Sequence, residues 1–237
     1  AKTTWMTDAE VKVAVEEAKL RGKRVAVHAR SADSVKQAVR LGCEVIYHAS
    51  FTDNEALDLL EANKDKIFVA PGLSVIFKLL SEGAAYGIPP AKAREMGYEE
   101  ELAAATESMK AMHKRGVRVL PGGDYRFAWA PHGTNATDLQ YFVKHCGMTA
   151  MEALMSATRY GGQIMLMGNE LGEVKEGYLA DLLLVDGDPL ADLSILLDKT
   201  RLLAIMKDGV FHKAPEIAAS RSTRSPYFSP SVSPVAA

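Results

Sequence analysis

The chain has 237 residues, 48% hydrophobic and 24% charged, with a formal net charge of −2. That is enough apolar material for one large core, or a core with a small appendage, and a near-neutral balance excludes the basic excess of a nucleic-acid or membrane-surface binder. No apolar run reaches the roughly 18–20 residues of a membrane span, the N-terminal AKTTWMTDAE holds no signal-peptide core, and Cys43 and Cys146 alone make no disulfide framework, so a reducing, cytoplasmic setting is the default expectation.

In chain order, TDAEVKVAVEEAKLRG predicts a helix with Thr7 as N-cap, Glu10 as its capping-box partner and Gly22 as stop. KRVAVHA reads as a buried strand, Val25 to His28. SADSVKQAVRLG reads as a short helix from about Ala32 closed by Gly42, and CEVIYHA as a second buried strand ending at His48. TDNEALDLLEANKDK is a helix capped by Thr52 or Asp53, and IFVAP a third strand. The stretch from about Pro90 to Lys114 contains the helix YEEELAAATESMKAMHKRG, and VRVLPGGD is the fourth strand. TNATDLQYFVKHCG and TAMEALMSATRYGG follow as helices, capped by Thr134 or Asn135 and by Thr149. LGEVKEGYLADLLLVDGDPLADL and RLLAIMKDGVFHK then read as the strands and turns of a β appendage. From Ala214 the sequence is rich in Ser and Pro, without periodicity, and reads as an extended or disordered tail.

Apolar runs alternating with helices predict an α/β fold of parallel strand–helix units. A doubly wound sheet and a (β/α)8 barrel both satisfy this pattern. No dinucleotide-type glycine fingerprint follows any strand, which disfavours a nucleotide-binding sheet.

Polar residues recur at the predicted C-terminal ends of strands: His28, His48 and Asp124. In a barrel that rim is where side chains from several strands converge on a substrate. The passage VLPGGDYRFAWAPHG poses the sharpest question, because Asp124 ends an apolar strand, where a carboxylate is costly to bury. Two neutral imidazoles and a carboxylate suit a divalent metal, and a nearby cation keeps such a carboxylate ionised. A lone histidine at a strand end is more often a hydrogen-bonded structural residue; two at matching strand ends, with GGD at a third, shift the balance towards ligands.

These motifs resemble the metal-dependent amidohydrolase superfamily, in the branch of imidazolonepropionase-like, prolidase-like and aminoacyl carboxypeptidase enzymes. VAVHA is similar to that branch's fifth barrel strand, VIYHAS to its sixth and VLPGGD to its eighth. LGEVKEGYLADLLLVDGDPL resembles its C-terminal β-sandwich signature. The resemblance implies an α/β fold comprising the C-terminal half of a TIM-type barrel, strands five to eight, over residues 1–168. It also implies part of a β-sandwich over 169–213, ahead of the tail at 214–237.

By the same resemblance His28, His48 and Asp124 are ligands of one or two divalent metals, zinc foremost. Asp124 is also the base that moves a proton while a metal-activated water attacks an amide or peptide-like carbon. His132, Arg126 and Tyr125 are candidate substrate contacts; as alternatives, His132 bonds backbone in its loop, Arg126 is a solvated arginine and Tyr125 packs the loop. The chain has no HxH pair and no counterpart of the family's bridging lysine. A complementary N-terminal half-barrel chain is therefore expected as partner, in an oligomer acting on a small amide, with no nucleic acid or membrane involved. A deaminase of the same superfamily and a non-catalytic half-barrel serving as a structural or binding module are the competing expectations.

Overall fold

A computed structural model describes residues 2–215; the expected tail lies outside them from residue 216 on. Helix α1, Asp8–Leu20, starts at the anticipated capping box, with Thr7 and Glu10 satisfying each other's backbone amides. Strand β1 is Ala26–Ser31 and helix α2 is Ala32–Leu41, ending at Gly42, whose φ of 89° lies in the left-handed region. Strand β2, Val45–Phe51, leads to α3, Asn54–Ala62, capped by Asp53 rather than Thr52. Strand β3, Phe68–Ala70, is followed by α4, Leu73–Glu82. Next come α5 (Pro90–Glu95), α6 (Tyr98–Lys114) and the short strand β4 (Arg118–Val119). Three helices follow: α7, Thr137–Cys146; α8, Ala150–Ala157, with a Thr149–Glu152 capping box; and α9, Arg159–Ile164.

Several features depart from the sequence pattern. Strands β1 and β2 run three residues beyond their histidines, so His28 and His48 sit inside strands rather than at their ends. Helix α4 carries no polar cap and follows an apolar strand without a hydrophilic break, so LSVIFKLL merges with IFVAP in the sequence. Helix α7 has Ala136 at its N-cap and so no side-chain cap. The expected caps are spent in the preceding turn: Thr134 Oγ1 donates to the Pro131 carbonyl at 2.8 Å, and Asn135 Oδ1 accepts from the Gly133 amide at 3.2 Å.

The first four strands form one parallel sheet in the order β1-β2-β3-β4. Paired residues share a face, so the register sorts the sheet into rows. Val27–Ile46–Val69–Val119 is one row, and it packs on the helices in the main apolar core. The opposite face carries two rows, Ala26–Val45–Phe68–Arg118 towards the N-terminal end of the strands and His28–Tyr47–Ala70 towards the C-terminal end. Ala26 and His28 are exposed, against the expectation of a strand buried on both faces, because β1 is an edge strand. Strands β5 (Leu182–Val185), β6 (Leu202–Lys207) and β7 (Val210–Lys213) form a separate three-stranded antiparallel sheet. Among the described residues no helix is long and apolar enough to cross a membrane.

Phe142 of α7 is fully buried in the main core. Phe142→Ala is expected to cost about 3–5 kcal/mol through lost transfer energy and the cavity left behind. Urea unfolding, with the midpoint lowered at unchanged slope, checks it.

Candidate active site

At the C-terminal end of the sheet a cavity of about 410 Å³ is lined by His28, Tyr47, His48, Asp124 and Tyr125, with the Pro121–Gly123 backbone and Asn135 completing the wall. His28 Nδ1 and His48 Nε2 lie 2.8 Å apart, so one ring donates to the other. The two rings are tilted with centroids 4.9 Å apart, and Tyr47 packs on His28 at 5.1 Å.

His28 faces the open side, whereas His48 is 2% exposed. The backbone around His48 explains the difference. His48 and Ala49 both hold positive φ, at 76° and 49°, a region that non-glycine residues rarely visit, and the β1–β2 register shifts just beyond them. That irregularity turns the His48 ring inward. Immediately beyond it, Ser50 Oγ donates to Glu101 Oε1 at 2.9 Å and Arg30 Nε donates to the same oxygen at 2.8 Å, which braces β1 and β2 against α6. His48 Nδ1 is buried without a hydrogen-bond partner; the nearby Pro71 backbone makes no well-formed bond to it.

Asp124 also sits at positive φ, 53°, at the end of the PGGD loop. The two preceding glycines have packing reasons. A Cβ on Gly122 would lie 2.6 Å from Ala70 Cβ, and one on Gly123 would lie 2.4 Å from the Tyr125 hydroxyl. Close passage of this loop over β3 and under the tyrosine ring therefore demands residues without side chains. Asp138, which sequence reasoning missed, anchors the loop: its Oδ2 accepts from the Gly122 amide at 2.9 Å and its Oδ1 from the Ser74 amide at 3.2 Å. Nothing in TNATDLQ separates this aspartate from an ordinary first-turn acid; only its 1% exposure does.

The structure therefore brings His28, His48, Asp124 and Tyr125 to one cavity. Tyr125 is anchored through its hydroxyl, which donates to the Asn135 carbonyl at 3.0 Å, and burial pushes its phenol above the ordinary range. Arg126 and His132 are exposed on the following loop and do not line the cavity. Trp129 packs the loop, donating to the Val75 carbonyl at 3.2 Å. Cys146 is buried and its thiol is pushed up to about 12 by desolvation, so it offers no thiolate nucleophile.

Tetrahedral zinc at roughly 2.0–2.1 Å from two imidazole nitrogens would hold them about 3.3 Å apart, so the His28–His48 pair is already close to ligand spacing. Among the described residues no three His, Cys, Asp or Glu side chains are gathered closely enough to hold a metal ion. The donor chemistry fits a divalent cation; the pair alone does not complete its shell.

A parallel α/β sheet with imidazoles and a carboxylate at one polar end is the makeup of a hydrolase-type scaffold, and the comparisons name its kind. Residues 2–211 match the Amidohydrolase family. Ochratoxinase from Aspergillus niger is 30% identical over 216 residues, which is 88% of this chain and 42% of that protein. Imidazolonepropionase from Kosmotoga olearia is 24% identical over 210 residues, 84% and 44% of the two chains. A solved Xaa-Pro dipeptidase with bound methionine aligns with a TM-score of 0.78 at 30% identity, covering 90% of this chain and half of its own. The solved A. niger ochratoxinase aligns with a TM-score of 0.75 at 26% identity, covering 94% and 49%. The chain belongs to the amidohydrolase family, in its prolidase-like branch. It spans less than half the length of the curated relatives it matches.

Burial brings His48 down to about 3, with Arg30 and His28 adding repulsion. In the unfolded chain this ring titrates near 6.5. Between those values the unfolded state binds a proton that the folded state refuses. Stability of metal-stripped protein should therefore fall as pH drops from about 6.5 towards 3, by up to about 1.4 kcal/mol per pH unit. Denaturant midpoints measured across that window should lose this share of their slope in His48→Gln.

Proposed function

We propose that this chain carries part of the active site of a metal-dependent amidohydrolase that cleaves an amide or peptide-like C–N bond in a small substrate, an N-acyl amino acid or a dipeptide. The observation that carries this reading is the convergence of His28 Nδ1 and His48 Nε2 at 2.8 Å in a cavity that Asp124 also lines. Family membership and the likeness to a solved Xaa-Pro dipeptidase support the reaction class.

In this reading His28, His48 and Asp124 hold one or two divalent cations, zinc foremost. Bound there, the cation would polarise the substrate carbonyl and acidify the attacking water. The Asp124 carboxylate would take a proton from the attacking water and deliver it to the departing nitrogen. Buried and neutral, His48 keeps a lone pair available rather than a proton, and its irregular backbone fixes the ring's aim. Tyr125, locked by its hydroxyl, forms a rigid wall against which the substrate packs. Arg126 and His132, on the exposed loop beside the cavity, contact the outer part of the substrate, Arg126 through a carboxylate.

The four-stranded sheet, over 1–168, is in this proposal half of an eight-stranded barrel, and β5–β7, over 169–213, part of a sandwich domain. A further polypeptide, or further sequence joined to this one, supplies the other strands and ligands within an oligomeric enzyme. Open edges at β1 and β4, and coverage of only half of each solved relative, support this.

Zinc-loaded protein, assembled with the completing strands, should release free amine from N-acyl amino acids or Xaa-Pro dipeptides, and release of ammonia instead would mark a deaminase. Asp124→Asn should lower kcat by at least about 100-fold with circular dichroism unchanged. A near-normal rate in that variant would remove Asp124 from the proton path. Failure of the assembled protein to bind zinc or turn over any amide would leave a binding module.

A further inference from the structure

The sheet has a second polar end, remote from the histidines. A separate cavity of about 450 Å³ opens where the chain enters the strands, and it shares no lining residue with the first. Arg24 lies two positions before β1, Lys66 two before β3, and Arg118 opens β4; all three line it, together with Lys19 of α1. Against these four cations stand two carboxylates, Glu44 and Asp65, an excess of two positive charges around one cavity.

Both guanidinium groups are tied to α9. Arg24 Nη2 donates to the Ile164 carbonyl, and Arg118 Nη1 donates to Gln163 Oε1 at 3.2 Å, so neighbouring residues of α9 hold both forks. Arg118 is fixed further by Nε donating to the Lys64 carbonyl at 3.0 Å and by stacking 3.8 Å over the Phe68 ring. The remaining nitrogens, Arg24 Nη1 and Arg118 Nη2, are buried and have no hydrogen-bond partner. A buried, unpaired donor on a cation is among the most expensive defects a fold can carry. Glu44 does not repair it, lying 3.8 Å from Arg24 Nε. Burial accordingly holds the Arg118 guanidinium below its ordinary range.

We propose that this cavity binds a small oxyanion, phosphate or carboxylate, against the Arg24 and Arg118 guanidinium groups that line it, with Lys19 and Lys66 at its exposed rim. A planar or tetrahedral oxyanion presents oxygens matching the guanidinium fork, and charge-assisted bonds of this kind are the strong ones. Water alone would satisfy the donors without countering the charge. The site ties the first, third and fourth strands to α9 at the base of the sheet, so its occupant acts as a cross-link from outside the chain.

The test is calorimetric titration of chelator-treated full chain with inorganic phosphate at low salt, beside chloride at equal ionic strength, with thermal unfolding in parallel. Expected is one saturable phosphate site per chain with a phosphate-dependent rise in Tm that chloride does not reproduce. Arg24→Gln should raise Kd at least about tenfold. The double variant Lys19→Gln/Lys66→Gln, at two exposed positions that do not threaten folding, should also weaken binding. His48→Gln, at the far end, should leave Kd unchanged, which separates this site from the proposed catalytic one. Non-saturating heats matched by chloride, or unaltered affinity in the double variant, would overturn the proposal whatever the outcome of the amidase assay.

Discussion

One buried carboxylate fixes the geometry on which the candidate site depends. Asp138 lies in the first turn of α7, is 1% exposed, and collects the amides of Ser74 and Gly122 and the Ser74 hydroxyl. Ser74 is the second residue of α4, four beyond the end of β3; Gly122 lies in the loop three beyond the end of β4. Burial drives its pKa up while the donors pull it down. A carboxylate in such a place is tolerated only because each oxygen is met by a donor. The consequence is positional: the C-terminal ends of β3 and β4 are tied to one point, and Asp124 hangs two residues beyond a clamped Gly122. The opening puzzle of a carboxylate at a buried strand end thus has two parts. Asp124 itself is only half-buried and faces a cavity, and the carboxylate that is deeply buried is a different one.

That distinction shows what was legible in the sequence. Local signals read correctly because their physics is local. The Thr7–Glu10 capping box needs nothing beyond four residues, and Gly42 stops α2 because the left-handed backbone there suits glycine alone. The alternation of apolar runs with helices announced the parallel sheet, since each buried strand must be covered. The approach of His28 and His48 at one end was legible only in part: the register pairs His28 with Tyr47 and Ala29 with His48, so the two histidines are one row out of step. What failed depended on distant partners. Helix α4 is set by burial against α6 and α7, not by a cap. The role of Asp138 exists only where β3, β4 and α7 meet. The inward turn of His48 rests on consecutive residues at positive φ, which its sequence neighbours do not encode.

Strain and charge are distributed unevenly along the sheet. Of the non-glycine residues with positive φ among those described, His48, Ala49, Asp124 and Arg126 all border the histidine cavity or its loop. Such backbone persists only where the surroundings over-determine it, and here the Glu101 brace and the Asp138 anchor do so. At the opposite end one non-glycine residue of the cavity wall, Leu166 at φ 60°, shares that backbone region, and the tension is mainly electrostatic, with cations crowded around unpaired donors. Backbone strain is thus concentrated around the histidine cavity, and unbalanced charge where the strands begin.

The two ends are joined by a face that the described residues cover only in part: Val45, Phe68 and Ala70 on it are buried, Ala26 and His28 are exposed. Val27, Ile46, Val69 and Val119 have helices against them, whereas the opposite rows leave Ala26 and His28 open. Parallel sheets ordinarily bury both faces, because their ladders and apolar rows leave no side suited to water. Here the inner rows are only partly apolar: Phe68 is shielded by Arg118 stacked on it, and the His28–Tyr47 pair presents nitrogen and hydroxyl alongside its rings. A surface of this mixed character is poor for a core and well suited to lining an enclosed polar chamber. On the proposal that further strands complete a barrel, enclosure would lower the local dielectric around His28, His48 and Asp124, and the attraction of that set for a cation would rise as water left.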